Sequence, residues 1–171
     1  GSEAIQVDGT LNTGLYVSHD VAGLASQGKM PTEAISVEAW VVIEKEDGFS
    51  GIASAAQSGG GYFRGWLLGY TVKSGTITFF WSLSSSESNK RNTLPFECST
   101  ADCETGKWIH LVATYNGEFS LLYVNGVATT PYRVCDDGLS SCGPITYPVA
   151  PEAPSDVTPF SIGSYDNAAT G

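Results

Sequence analysis

Residues 107–124, KWIHLVATYNGEFSLLYV, decide the fold. Two apolar stretches rich in β-branched and aromatic side chains, 107–115 and 118–124, flank Asn116-Gly117. Asn and Gly tolerate the positive φ that a tight reversal demands, so the segment predicts a β-hairpin over 108–124. His110 falls mid-strand and shares a face with Trp108 and Val112, because successive side chains point to opposite sides of a strand.

The same pattern recurs on both sides of this hairpin. Strands are expected at 4–7, 14–18, 35–43, 50–56, 65–72, 76–83 and 158–163. Asp8-Gly9, Asp47-Gly48 and Asn125-Gly126 supply further turns. The stretch 21–31 fits either a short helical turn stopped by Pro31 or a loop. Alternation places Ile35, Val37, Ala39, Val41 and Ile43 on one face, with Ser36, Glu38, Trp40 and Val42 on the other. Trp66, Leu68, Tyr70 and Val72 share a face, as do Ile77, Phe79 and Trp81. Burying those sets needs two stacked layers, which predicts an all-β, two-sheet antiparallel jelly-roll sandwich. All four tryptophans, Trp40, Trp66, Trp81 and Trp108, fall within strand patterns and are expected in its core. Five of the eight prolines lie between Pro144 and Pro159, which predicts an extended surface segment over 144–159, since proline cannot donate to a ladder.

A length of 171 residues is about one domain, so residues 1–171 are read as one unit. With 42% hydrophobic and 15% charged residues the chain can build a sizeable core, and no apolar run reaches the roughly 20 residues a membrane helix needs. The net charge of −10 repels phosphate backbones and anionic membrane surfaces, which excludes nucleic-acid binding and argues against membrane partners. Gly1-Ser2 resemble the remnant of a cleaved tag, so the compartment is read from the cysteines. Cys98 and Cys103, and Cys135 and Cys142, form two local pairs in turn-rich stretches, and no histidine lies beside either pair. That arrangement favours disulfides over zinc. Of three connectivities the nearest-neighbour one is expected, because each loop is short, and the compartment is then oxidising: extracellular or at the cell surface.

Three strings carry a resemblance: ISVEAWV at 35–41, GKWIHLVATYNG at 106–117 and LLYVNG at 121–126. With AIQVDG at 4–9 and FSIG at 160–163 they resemble, in order and spacing, the concanavalin A-like, laminin-G-like domains. The resemblance implies a jelly roll, recognition through loops at one rim, and a calcium ion near the first turn. The matching positions for calcium ligands are Asp8, Asp166 and Asn167. Members of the family carry one more strand after the last string, pairing with the first. Its absence here leads to the expectation of an open sheet edge, filled by a missing chain segment or by a partner's strand. The stretches 84–106 and 128–157 exceed the family's usual loops and are expected to cluster at a rim.

Catalytic chemistry finds little support. Glu44 and Glu46 precede a turn, whereas glycosidases hold two carboxyls roughly 5–9 Å apart across a cleft. No G-x-S-x-G elbow, P-loop, H-E-x-x-H or dinucleotide fingerprint occurs. His110 is read as hydrogen-bonded structure. The acceptance of a sugar needs an aromatic plane beside hydrogen-bonding groups, and the loop 57–65, QSGGGYFRG, offers both in Tyr62, Phe63 and Arg64. The alternative at that loop is that Tyr62 or Phe63 packs under the sandwich. The expected role is a non-catalytic extracellular recognition module that binds a glycan through rim loops, with calcium as an aid. A structural or adhesive assembly domain that binds no sugar is the competing expectation.

Overall fold

The computed structural model describes residues 4–7, 14–18, 21–44, 48–59, 62–86, 90–99, 103–135, 142–147 and 160–163. The elements run β1 (Leu15–Ser18), α1 (Val21–Ser26), β2 (Ile35–Val42), β3 (Gly48–Gly59), β4 (Tyr62–Lys73), β5 (Thr76–Leu83) and β6 (Asn92–Glu97). They continue with β7 (Trp108–Tyr115), β8 (Phe119–Val124), β9 (Val127–Ala128), β10 (Tyr132–Arg133) and β11 (Phe160–Ile162). Two antiparallel sheets result. A six-stranded one is ordered β1-β11-β3-β4-β5-β6, and a five-stranded one is ordered β10-β8-β7-β2 with β9 also on β8.

The core between them is made by the alternation the sequence displays. Trp66, Leu68, Phe79 and Trp81 from the first sheet meet Ile109, Leu111, Ala113 and Leu122 from the second. The 108–124 hairpin forms with Asn116 Oδ1 accepting from the main-chain N–H groups of Glu118 and Phe119, which closes the turn. One edge of this core is thinly covered. On β7, Ile109, Leu111, Ala113 and Tyr115 are buried, yet their partners across the ladder, Val41, Ala39, Val37 and Ile35 of β2, are only partly so. The strand β2 has a single ladder neighbour, β7, among the described residues.

Several expectations need correction. Residues 4–7 form no strand; Ile5 is exposed, and Val7 packs its side chain on the α-carbon of Gly163. The stretch 84–106 contains β6, whose Pro95 sits on a sheet edge where one side of the strand needs no donor. The stretch 128–157 contains β10 and part of β9. The first part of the Pro-rich segment is not on the surface. Ile145 and Tyr147 are buried, and 143–147 is tied down by main-chain hydrogen bonds from Gly65 to Thr146, Thr146 to Ser84 and Ile145 to Thr32. The short helical alternative over 21–31 is realised as α1, with Val21 in the core. Both disulfides join nearest neighbours, Cys98 to Cys103 and Cys135 to Cys142.

The Tyr115 hydroxyl donates to the carbonyl of Gly143 at 2.8 Å. Burial, with Glu33 and Glu118 adding to it, pushes its pKa up to about 12, and burial raises Tyr147 as well. A folded-state pKa above the unfolded value of about 10 leaves stability unchanged below pH 10 and removes it as the pH climbs toward 12. We expect the unfolding free energy from urea titrations to hold steady up to about pH 10 and then fall by an amount on the order of 2 kcal/mol from Tyr115. Tyr115→Phe should lessen that fall and leave the part due to Tyr147; an equal fall in the variant would remove Tyr115 as a source.

Candidate functional site

The outer face of the six-stranded sheet is not a plain solvated surface. Ala56, Phe63, Leu67 and Phe80 form a second buried cluster there, on the side opposite the main core. Phe80 lies over Gly69, where a Cβ would meet its ring at 2.5 Å, and Phe49 stacks on Phe80 with centroids 4.8 Å apart. The Arg91 guanidinium carbon sits 5.4 Å from the Phe49 centroid, 5.3 Å from Phe63 and 5.7 Å from Phe80, within cation–π range of all three rings. Arg91 Nε also donates to Ser82 Oγ, which in turn bonds Thr93 Oγ1 at 2.9 Å.

These contacts define the shape of the face. Phe49 pairs with Thr71, eight positions from Phe63 on the same strand, a separation of roughly 26 Å in a flat strand. Both rings nevertheless touch one guanidinium, so the sheet curls around Arg91 and its outer face is concave. A β-bulge in β3 between Gly51 and Ala53, and the positive φ of 87° at Gly65, supply local bending. Phe49 remains 44% exposed and gives the hollow an accessible aromatic plane.

Of the residues singled out in the sequence, Phe63 lies in this cluster. Tyr62 opens β4 opposite Gly59, and its side chain lies outside the described residues. Phe63 is buried at 3% exposure, so its ring forms the floor and presents no free face; it packs in the outer cluster and not under the sandwich. Arg64 is half-buried and donates from one Nη to the Phe63 carbonyl at 3.2 Å. Phe49, Phe80 and Arg91 were missed by the sequence reading. Phe80 was visible only as the residue alternating with Phe79 and Trp81, and Arg91 lies in a stretch read as loop. Asp8, Asp166 and Asn167 lie outside the described residues, and among the described residues no three His, Cys, Asp or Glu side chains gather as a metal site. The neighbours of those positions do come together, since Val7 packs on Gly163.

The five-stranded sheet carries a different outer face. Trp40 and Trp108, expected in the core, are 61% and 54% exposed, while Trp66 and Trp81 are buried. The reason is parity: Trp40 shares its side of β2 with Ser36 and Glu38, and Trp108 shares its side of β7 with His110. His110 Nε2 bonds Glu38 Oε1 at 2.8 Å, and its ring stacks on Trp40 at 4.6 Å. No helix among the described residues is long and apolar enough to cross a membrane.

Two sheets stacked about one core, with strand pairs closing a jelly roll and a curved outer face, define a lectin-like sandwich. The chain belongs to the concanavalin A-like lectin/glucanases superfamily, whose family model matches residues 15–136. It is 28% identical over 115 residues to Pappalysin-1 of Mus musculus, a match covering 62% of this chain and 7% of that protein. The chain therefore spans a small fraction of that relative's length. Among solved structures it resembles the botulinum neurotoxin serotype D binding domain, with TM-score 0.46 and 22% identity over 78% of this chain and 33% of that one. It also resembles the Ruminococcus gnavus IT-sialidase CBM40 bound to α2,3-sialyllactose, with TM-score 0.48 and 14% identity over 88% and 82% of the two chains.

Proposed function

We propose that this chain is a non-catalytic recognition module of an extracellular protein and binds a glycan in the concave outer face of its six-stranded sheet. One observation supports this most: an exposed Phe49 ring stands beside the Arg91 guanidinium, which lies within cation–π range of three aromatic rings. A pyranose offers a C–H face to an aromatic plane and hydroxyls to polar groups, which is what such a hollow contains. Tyr62 and Arg64, the sequence neighbours of Phe63, are assigned to its rim. Calcium is assigned to Asp8, Asp166 and Asn167, where it would bind oxygen ligands and order the turns beside the Val7–Gly163 contact. The disulfides and the membership of this superfamily support an oxidising, extracellular setting.

A glycan array read with and without chelator tests the proposal. Phe49→Ala and Tyr62→Ala should each weaken binding at least about tenfold, the value of one lost stacking contact with its buried area. Chelator should weaken it in the unsubstituted chain. Binding to no glycan, or binding unaffected by Phe49→Ala, would remove the concave face from consideration.

A second reading, strand-mediated assembly, is favoured by the thin cover of β2. An added strand with alternating apolar residues would complete the burial of Ile35, Val37 and Ala39 while using the main-chain groups of β2 on the side with no ladder neighbour among the described residues. Sedimentation of the array sample decides it: concentration-dependent association without glycan binding supports assembly, and a monomer at all concentrations counts against self-association.

A further inference from the structure

We infer a second binding site on the opposite sheet, built from Trp40, Trp108, Glu38 and His110, that takes a pyranose ring of a neutral polysaccharide. It rests on none of the residues of the concave face. In the β2–β7 ladder Trp40 lies opposite His110 and Trp108 lies opposite Val42, so the two indoles are diagonal neighbours on one outer face. Such neighbours stand roughly 7–8 Å apart, within reach of one another's ligands when the side chains are aromatic.

The platform is pre-arranged before any ligand arrives. One face of Trp40 is fixed by the His110 imidazole, stacked at 4.6 Å with planes inclined by 26°. The imidazole is fixed in turn by Glu38 Oε1 at 2.8 Å from Nε2. The main-chain N–H of His110 donates to Asn125 Oδ1 at 2.9 Å, and the Asn125 N–H returns to the His110 carbonyl at 2.8 Å, which anchors this part of β7. A rigid aromatic held this way loses little freedom on binding, which favours affinity. Neither indole belongs to the buried core, and both stay more than half exposed among the described residues, an apolar patch of the kind that marks a binding surface.

The chemistry selects the ligand. An exposed indole accepts the C–H face of a sugar, and Glu38 offers acceptor oxygens beside Trp40 for ring hydroxyls, since a carboxylate has more acceptor sites than the single His110 bond uses. The Glu38 charge, on a chain of net −10, opposes carboxylated or sulfated polymers. Area argues against a stable protein partner. The exposed parts of two indoles amount to roughly 250 Å², against about 800 Å² per partner in a standard protein interface.

The test is native affinity electrophoresis of the intact chain through gels containing mixed-linkage β-glucan, xylan or mannan, with polygalacturonate as the acidic comparison. Retardation by at least one neutral polymer and none by polygalacturonate is expected. Trp40→Ala with Trp108→Ala should weaken that retardation at least about tenfold, and Glu38→Gln several-fold. Phe49→Ala should leave it unchanged, so loss of concave-face binding and loss of this site are read separately. On the unsubstituted chain, soluble oligomers of the retarding polymer should protect Trp40 and Trp108 from N-bromosuccinimide oxidation, as read by peptide mass spectrometry. That measurement stands even where a double variant fails to fold. No retardation by any neutral polymer, equal retardation of the folded double variant, or no protection of either indole would overturn the inference.

Discussion

Gly65→Ala is expected to destabilise the chain by at least about 3 kcal/mol, enough to leave a large unfolded fraction in a domain of ordinary stability. Two effects combine. The residue has φ of 87°, a left-handed backbone that costs a side chain roughly 1–2 kcal/mol. Its added Cβ would also stand 1.9 Å from the Ala55 carbonyl oxygen, so the β3–β4 ladder has to open. That ladder position is where Gly65 donates to Thr146 and accepts from Ser84, tying the 143–147 segment to the sheet. Gly126→Ala is the control: its φ is 83°, but nothing lies within 4 Å of the new Cβ, so only the backbone term applies. Guanidinium denaturation of both variants separates the terms. Equal losses would mean that the close approach at Gly65 relaxes at no cost.

Replacing Cys135 and Cys142 together by Ala should cost about 2–4 kcal/mol, and more than the same change at Cys98 and Cys103. The loops close over similar lengths, with sequence separations of 7 and 5, so the entropy released in the unfolded chain is nearly equal. What differs is the folded side. Cys142 begins the segment whose Gly143 carbonyl receives the Tyr115 hydroxyl and whose Ile145 and Tyr147 are buried. The Cys135 N–H is also directed at Cys142 Sγ at 3.0 Å, and Val134 bonds back to Glu118 beside β8. Releasing that end should expose Ile145 and Tyr147, seen as a smaller denaturant midpoint and loss of the alkaline transition of Tyr115. If both pairs of substitutions reduce stability equally, the main-chain bonds alone hold the segment.

The fold was legible where period and turn chemistry agreed. The 108–124 hairpin, the β2 alternation and the β4 and β5 apolar faces needed only a two-residue period and an Asn-Gly turn. Reading failed where a residue's neighbours, not its own type, set its environment. Trp40 and Trp108 are the most hydrophobic-looking members of their strands, yet parity turns both outward. Pro95 concealed β6, because a proline is tolerated on an edge that sequence alone does not locate. Of the candidate site, the Tyr62-Phe63-Arg64 run contributes the buried Phe63, while Phe49, Phe80 and Arg91 come from strands and a loop far apart in the chain.

The amino-acid sequence by itself determined that the chain alternates, turns sharply at Asn116-Gly117, and folds as stacked antiparallel layers closed by two short disulfide loops. These are local properties, carried by a residue and its nearest neighbours along the chain. Only the tertiary structure decided which faces curl, which aromatics meet Arg91, and which indoles are left in water. Curvature and cross-sheet contact depend on residues tens of positions apart, and the sign of each contact is fixed only when the ladders have chosen their register.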